Sequence, residues 1–100
     1  MSVIYFNIDE ARNELLKNSI VYTIRHERST GQAVARKGSY YKFEVLGNVT
    51  VKRVLRLNKT AIEIQLCEYV PRSGFNTVQE WIKNIKEWRN RMFLYKVEVL

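Results

Sequence analysis

The chain is poor in cysteine, histidine and proline: Cys67, His26 and Pro71 are the sole examples of each among its 100 residues. A lone cysteine cannot close an internal disulfide, nor can it supply the paired thiolates of a zinc site. With one histidine, a metal centre would fall to carboxylates, and the scattered Asp and Glu residues have no recognisable ligand spacing. No metal and no cofactor are therefore expected. Cys67 reads as a small buried hydrophobe rather than a reactive thiol. No apolar run approaches the roughly 20 residues of a membrane-spanning helix, so no membrane partner is expected. The stretch from Met1 to Asp9 lacks both the basic start and the apolar length of a secretory signal, and Asp9, Glu10 and Glu14 argue against a transit peptide. The expected location is the cytoplasm. Repeats, low-complexity stretches and Gly- or Pro-rich linkers are also missing, which leaves a single domain over residues 1–100.

Negative charge is in short supply too. Ten Asp and Glu stand against 17 Lys and Arg, giving a formal net charge of +7 at pH 7. An excess of this kind attracts polyanions from beyond contact distance. Hydrophobic residues make up 46% of the chain and aromatics 12%, enough to offset chain entropy, so the domain is expected to fold by itself.

Along the chain, Val3 to Phe6 is a short run of strand formers, with Asp9 as the expected N-cap of a helix from Glu10 to Lys17 and Asn18 as its left-handed stop. Ile20 to Arg25 alternates as a strand, which puts Val21, Thr23 and Arg25 on one face and Ile20, Tyr22 and Ile24 on the other. His26 to Gly38 is polar and basic, with a turn signal at Ser29, Thr30 and Gly31. It has too few large apolar residues for a core element and is read as an exposed loop. Tyr40 to Leu46 and Val49 to Leu57 flank Gly47-Asn48 in the pattern of a β-hairpin. Ala61 to Val70 fits either a strand or a helix, and Pro71 is expected to close it. Thr77 to Glu80 has the form of a capping box, opening a helix with Trp81, Ile82, Ile85 and Trp88 on its apolar stripe and Lys83, Lys86, Glu87 and Arg89 outward. Both tryptophans are read as core residues. Phe93 to Val99 alternates as a closing strand. About five strands and two or three helices in non-alternating order predict an α+β domain, with strands short enough to close into a small β-barrel.

This order of elements resembles the ASCH domains of the PUA-like superfamily, small β-barrels with peripheral helices, over nearly the whole chain. The family signature, Gly-x-Lys-x-x-Glu/Thr-x-Arg on the strand after the first helix, aligns with the stretch from Asn18 to Arg25, where Thr23 and Arg25 match. Lys37-Gly38 before a strand, Ser73-Gly74-Phe75 before a capped helix and the closing run from Phe93 to Glu98 also look like family features. The resemblance implies a barrel cleft that meets RNA or a nucleoside, lined by the signature strand. It also favours a helix within Ala61 to Val70. Some members of the family are amidohydrolases of N4-acetylcytidine that use a lysine, a threonine and a glutamate. Here Thr23 alone matches, with Ile20 at the lysine position and Ser73 at the acidic one. Neither replacement can serve as a charged acid, base or nucleophile of the same kind, so no catalytic residue is assigned.

The expected partner is nucleic acid, RNA ahead of DNA. Thr23 offers a hydrogen bond and Arg25 a planar fork for phosphate, with a structural ion pair as the other reading of Arg25. Arg25, His26, Arg28, Arg36 and Lys37 face only Glu27 in and beside the expected loop, which makes it the candidate phosphate surface, and Arg53 extends that surface onto the expected hairpin together with Arg56 and Lys59. Tyr22, Tyr40, Tyr41 and Phe75 are the aromatics expected to border a cleft. The leading reading is a non-catalytic RNA-binding module. The alternatives are a hydrolytic enzyme, either a ribonuclease using His26 or a modified-nucleoside hydrolase using Thr23, and a protein-interaction adaptor.

Overall fold

The computed structural model describes residues 2–100. Its first strand, β1 (Ser2–Tyr5), leads into helix α1 (Asp9–Asn18). The helix starts one residue earlier than expected: Asp9 is its first residue, and the N-cap is Ile8, which makes no side-chain capping bond. The left-handed stop is Ser19, at φ 64°, rather than Asn18, and its amide returns to the Leu15 carbonyl. Ala11 and Leu15 form the buried stripe, while Leu16 is exposed. Strand β2 (Ile20–His26) follows as expected.

The segment read as a basic loop is largely a strand, β3 (Gly31–Gly38). Its inward positions are Ala33 and Ala35, which share one core cluster with Phe6, Leu15 and Tyr95. Methyl side chains suffice where the neighbours are this bulky, and a search for large apolar residues overlooks such a strand. The expected hairpin at Gly47-Asn48 is also corrected. Phe43–Arg56 runs as one strand, β4, and the reversal lies in residues 39–42, where Ser39 N donates to Lys42 O at 2.8 Å. Gly47 instead serves a bulge. Ala35 pairs with Gly47 and Arg36 with Val45, leaving Leu46 as the extra residue, and Gly47 takes φ 147°.

Helix α2 (Ile62–Leu66) runs into a 3-10 turn at Cys67–Arg72, so the ambiguous segment is helical, and Pro71 lies inside that turn rather than ending it. Cys67 is exposed, not buried. Helix α3 (Val78–Lys83) is capped as expected by Thr77, whose hydroxyl accepts from Glu80 N at 3.1 Å. It is shorter than its apolar stripe: the Asn84 amide side chain donates to Glu80 O at 2.9 Å where the helix stops. The closing strand is β5 (Met92–Val99).

The five strands form one sheet in the order β1-β3-β4-β5-β2, with β1 parallel to β3 and the other pairs antiparallel. This is an α+β fold. The sheet is not closed into a barrel, because β1 and β2 are its two edges. Side chains nevertheless join those edges: Arg28 Nη2 donates to Ser2 Oγ at 2.8 Å, and the Arg25 guanidinium lies 4.9 Å from the Phe6 ring centroid. Ile4 of β1 and Val21 of β2 belong to one buried cluster, with α1 packed into it through Ala11 and Leu15. A second cluster gathers Leu57, Ile62, Leu66, Phe75, Trp81, Met92 and Leu94, with Trp88 packed against it, as expected of both tryptophans. Burying each large side chain of these layers contributes about 1.5–3 kcal/mol.

Gly74 lies directly against the backbone of α1. It takes φ 89°, and a Cβ there would sit 2.1 Å from the carbonyl oxygen of Glu10 in α1. Replacing Gly74 by Ala is expected to cost about 2–4 kcal/mol through clash and backbone strain, read as an earlier urea midpoint.

Candidate functional site

Alternation along β2 sends Val21 into the inner cluster, buries Thr23 on the same face, and turns Tyr22 and Ile24 toward the outer cluster. Because β2 is an edge strand, residues of both faces border the same hollow. It is a cleft of about 320 Å³ bounded by Ile8 and Ala11 on the α1 side, the stretch from Tyr22 to His26, Phe75, Trp81, and the chain that follows α3. Its floor is apolar and aromatic. Lys86, Glu87 and Arg89 form an exposed rim. A neighbouring hollow of about 300 Å³ lies toward Tyr5, Phe6 and Asn7 and shares Ile8, Ala11, Thr23, Ile24 and Arg25 with the first.

Arg25 sits where the two hollows meet. Its Nε donates to Thr23 Oγ1 at 3.1 Å, and Thr23 is itself buried. Among the described residues, no carboxylate pairs with Arg25 and neither terminal amino group has a protein acceptor. The ion-pair reading of this residue therefore has no support. Burial, reinforced by the positive charge of Arg28, pulls the Arg25 pKa down to about 10. A partly buried, unpaired cation of this kind gains from an anion placed against it.

The remaining expected contacts divide into groups. His26 is exposed and lines the cleft. Arg28 is turned toward β1, with Nη2 on Ser2, Nε donating to Ser29 O at 3.2 Å and its backbone amide donating to the Tyr95 hydroxyl at 2.9 Å. Burial lowers its pKa. Arg53 lies 4.2 Å from the Phe93 ring centroid and 3.6 Å from Glu27, so its charge is already matched. Glu27 also receives a two-pronged contact from Arg91, at 2.8 and 2.5 Å, and these hydrogen bonds hold its carboxyl below the usual range. Arg36 and Lys37 do not line the cleft. They belong to β3, where the Arg36 guanidinium covers the Phe43 ring at 3.8 Å, its Nε buried without a partner, and Lys37 is exposed. The single basic loop is thus replaced by a cleft group of Thr23, Arg25 and His26, by Arg28 turned to Ser2, by Arg53 of β4 held between Phe93 and Glu27, and by a separate pair on β3.

Of the aromatics expected at a cleft, Tyr22 and Phe75 line it, and Tyr40 and Tyr41 stand at the β3–β4 turn. Sequence reasoning missed the cleft roles of Trp81, Asn84, Lys86 and Arg89. The capping box marks where α3 begins, but nothing in the local sequence marks the early stop that swings residues 84–90 across the cleft. Ser73, expected from the ASCH resemblance to stand at an acidic position, is fully buried; its hydroxyl donates to Val70 O at 2.8 Å and accepts from Phe75 N at 3.0 Å. Its role is to hold Phe75 in the cleft wall. Ile20 does not line the cleft. No three His, Cys, Asp or Glu side chains among the described residues gather as a metal site, and no helix among them is long and apolar enough to cross a membrane.

Comparison with protein-family models, curated proteins and solved structures finds no match.

An unpaired, partly buried guanidinium costs folding energy, and a volume-matched apolar residue removes that cost. Arg25→Met is expected to leave stability unchanged or to raise it by about 1 kcal/mol, measured by denaturant unfolding.

Proposed function

We propose that the chain is a non-catalytic nucleic-acid-binding module that takes one nucleotide of a single strand, RNA ahead of DNA, into the cleft beside Thr23 and Arg25. The observation that carries this reading is the Arg25 guanidinium, unpaired at the junction of two hollows whose walls include Tyr22, Phe75 and Trp81. A phosphate placed on its free amino groups would supply the missing negative charge and bind both prongs of the fork. A base lying against the aromatic wall would exchange water for apolar surface, a gain of about 1–3 kcal/mol where it stacks. His26, Lys86 and Arg89 at the margin and the net charge of +7 favour a polyanion over a lone small molecule. Unstacked bases reach such a cleft and paired ones do not, which favours single strands or flipped bases.

The same reading includes the ASCH-like, PUA-like identity, with the open five-stranded sheet standing where that family has a closed barrel, and a cytoplasmic location. Ribonuclease activity is the second reading, favoured by the exposed His26 on the cleft wall. Hydrolysis of a modified nucleoside has less behind it, because Ser73 has spent its hydroxyl on its own turn.

Anisotropy titration with fluorescent single-stranded and duplex RNA and DNA at two salt concentrations tests the proposal. Single-stranded RNA is expected to bind most tightly and to weaken as salt rises. Arg25→Met is expected to lower affinity about tenfold, and the RNA is expected to remain intact. No binding at low salt contradicts the module, while cleavage lost on His26→Ala with binding retained favours the nuclease.

A further inference from the structure

The turn between β3 and β4 presents Tyr40 and Tyr41 almost bare to solvent, 76% and 93% exposed, with their rings edge-on at 5.1 Å. Two adjacent aromatic side chains left this exposed have no core role. The backbone beneath them is firmly fixed. Gly38 adopts φ 120°, and a Cβ there would sit 2.4 Å from the Lys42 carbonyl oxygen. The Asn7 side chain clasps Gly38 from the other side, donating to its carbonyl at 2.8 Å and accepting from its amide at 2.7 Å. Ser39 closes the turn onto Lys42 through its amide at 2.8 Å, while the Lys42 amide donates to Ser39 Oγ at 3.3 Å. The rings are therefore displayed on a turn held in advance, which lowers the entropy lost when they engage a partner.

The charge around them selects that partner. Residues 36–44 carry Arg36, Lys37 and Lys42 against Glu44 alone. Aromatic rings set among cations match a single-stranded nucleic acid, whose bases stack on the rings while its phosphates meet the lysines. A membrane is a poorer fit, because Val45 is the one aliphatic side chain among residues 36–45 and the half-exposed Phe43 ring is already covered by Arg36.

We infer that this turn is a second nucleic-acid contact, at which Tyr40 and Tyr41 stack bases of a single strand and Lys37 and Lys42 hold its phosphates. The inference rests on the nucleic-acid reading above but not on the cleft, since none of these four residues lines it. A 12-mer, about 40 Å long when stacked at about 3.4 Å per nucleotide, exceeds the 35 Å longest extent of the molecule and has the length to meet both places. A 4-mer does not.

The test compares the wild type, Tyr40→Ala/Tyr41→Ala, Lys37→Gln/Lys42→Gln and Arg25→Met, using fluorescent oligouridine 4-mers and 12-mers and vesicles of anionic phospholipid. Unchanged thermal unfolding is the control for the exposed tyrosines. The double-tyrosine variant is expected to bind the 12-mer at least tenfold more weakly. The double-lysine variant is expected to flatten the salt dependence of 12-mer binding by about 1.4 in log–log slope, because two phosphates of a single strand then keep their counterions. Equal 12-mer affinity in the wild type and the tyrosine variant overturns the turn contact and leaves the cleft standing. Weakening by the tyrosine variant but not by Arg25→Met supports the turn contact while removing the cleft. A wild type that binds neither oligonucleotide overturns both, and vesicle binding that disappears with the tyrosines in that case assigns the turn to membranes.

Discussion

Met92, Phe93, Leu94 and Tyr95 are buried in succession because β5 has an apolar layer against each of its faces. Phe93, Tyr95 and Val97 enter the inner cluster with α1, while Met92 and Leu94 enter the outer cluster with α2 and α3. The strand also supplies both ladders that fix the neighbouring strands, β4 on one side and β2 on the other. Thr23 lies directly across from Tyr95, and Arg25 from Phe93. The position of the cleft follows from this pairing, since a one-residue slip of β2 would exchange its faces and send Thr23 and Arg25 to the other side.

The cleft forms where the two layers fail to meet completely. α1 covers the inner face, α3 covers the outer one, and β2 is the edge between them, so its backbone presents residues of both faces to one hollow. Ser73 and Gly74 set the width of that gap. Ser73 ties Phe75 into the wall, and Gly74 lets the turn approach the α1 backbone more closely than any side chain would allow. Arg25 is left with a hydrogen bond to Thr23 and an aromatic ring beneath it but no carboxylate, an arrangement that is costly alone and favourable with an anion bound. The nearby acid, Glu27, is engaged by Arg91 and Arg53.

Where one periodicity and one capping signal governed the chain, the sequence was legible. β2 and β5 alternate as they read, and Thr77 caps α3. Thr23, Arg25, Tyr22 and Phe75 were read as neighbours of a cleft and do line one, and His26, read as part of a basic loop, lines it as well. Errors arose where tertiary packing overrode local pattern. β3 reads as a loop because Ala33 and Ala35 are small, and small residues are what the bulky inner cluster accepts there. Gly47-Asn48 reads as a turn because glycine marks positive φ, but a bulge needs that conformation equally. α3 reads long because Ile85 and Trp88 keep the helical spacing, although they pack against the outer cluster from a segment that has left the helix. That departure carries Lys86 and Arg89 to the cleft rim, so part of the site was unreadable without the fold.

The central claim is that Arg25 waits for a phosphate in an aromatic-walled cleft. The most direct measurement follows the Arg25 Nε–H resonance and the Trp81 indole by nitrogen–proton NMR while a nucleoside 5′-monophosphate, and separately the bare nucleoside, is added. The account predicts that the monophosphate shifts both signals and slows exchange of the Arg25 proton with water, and that the nucleoside does so far less. Equal responses to the two ligands, or shifts confined to residues away from β2 and α3, would contradict it.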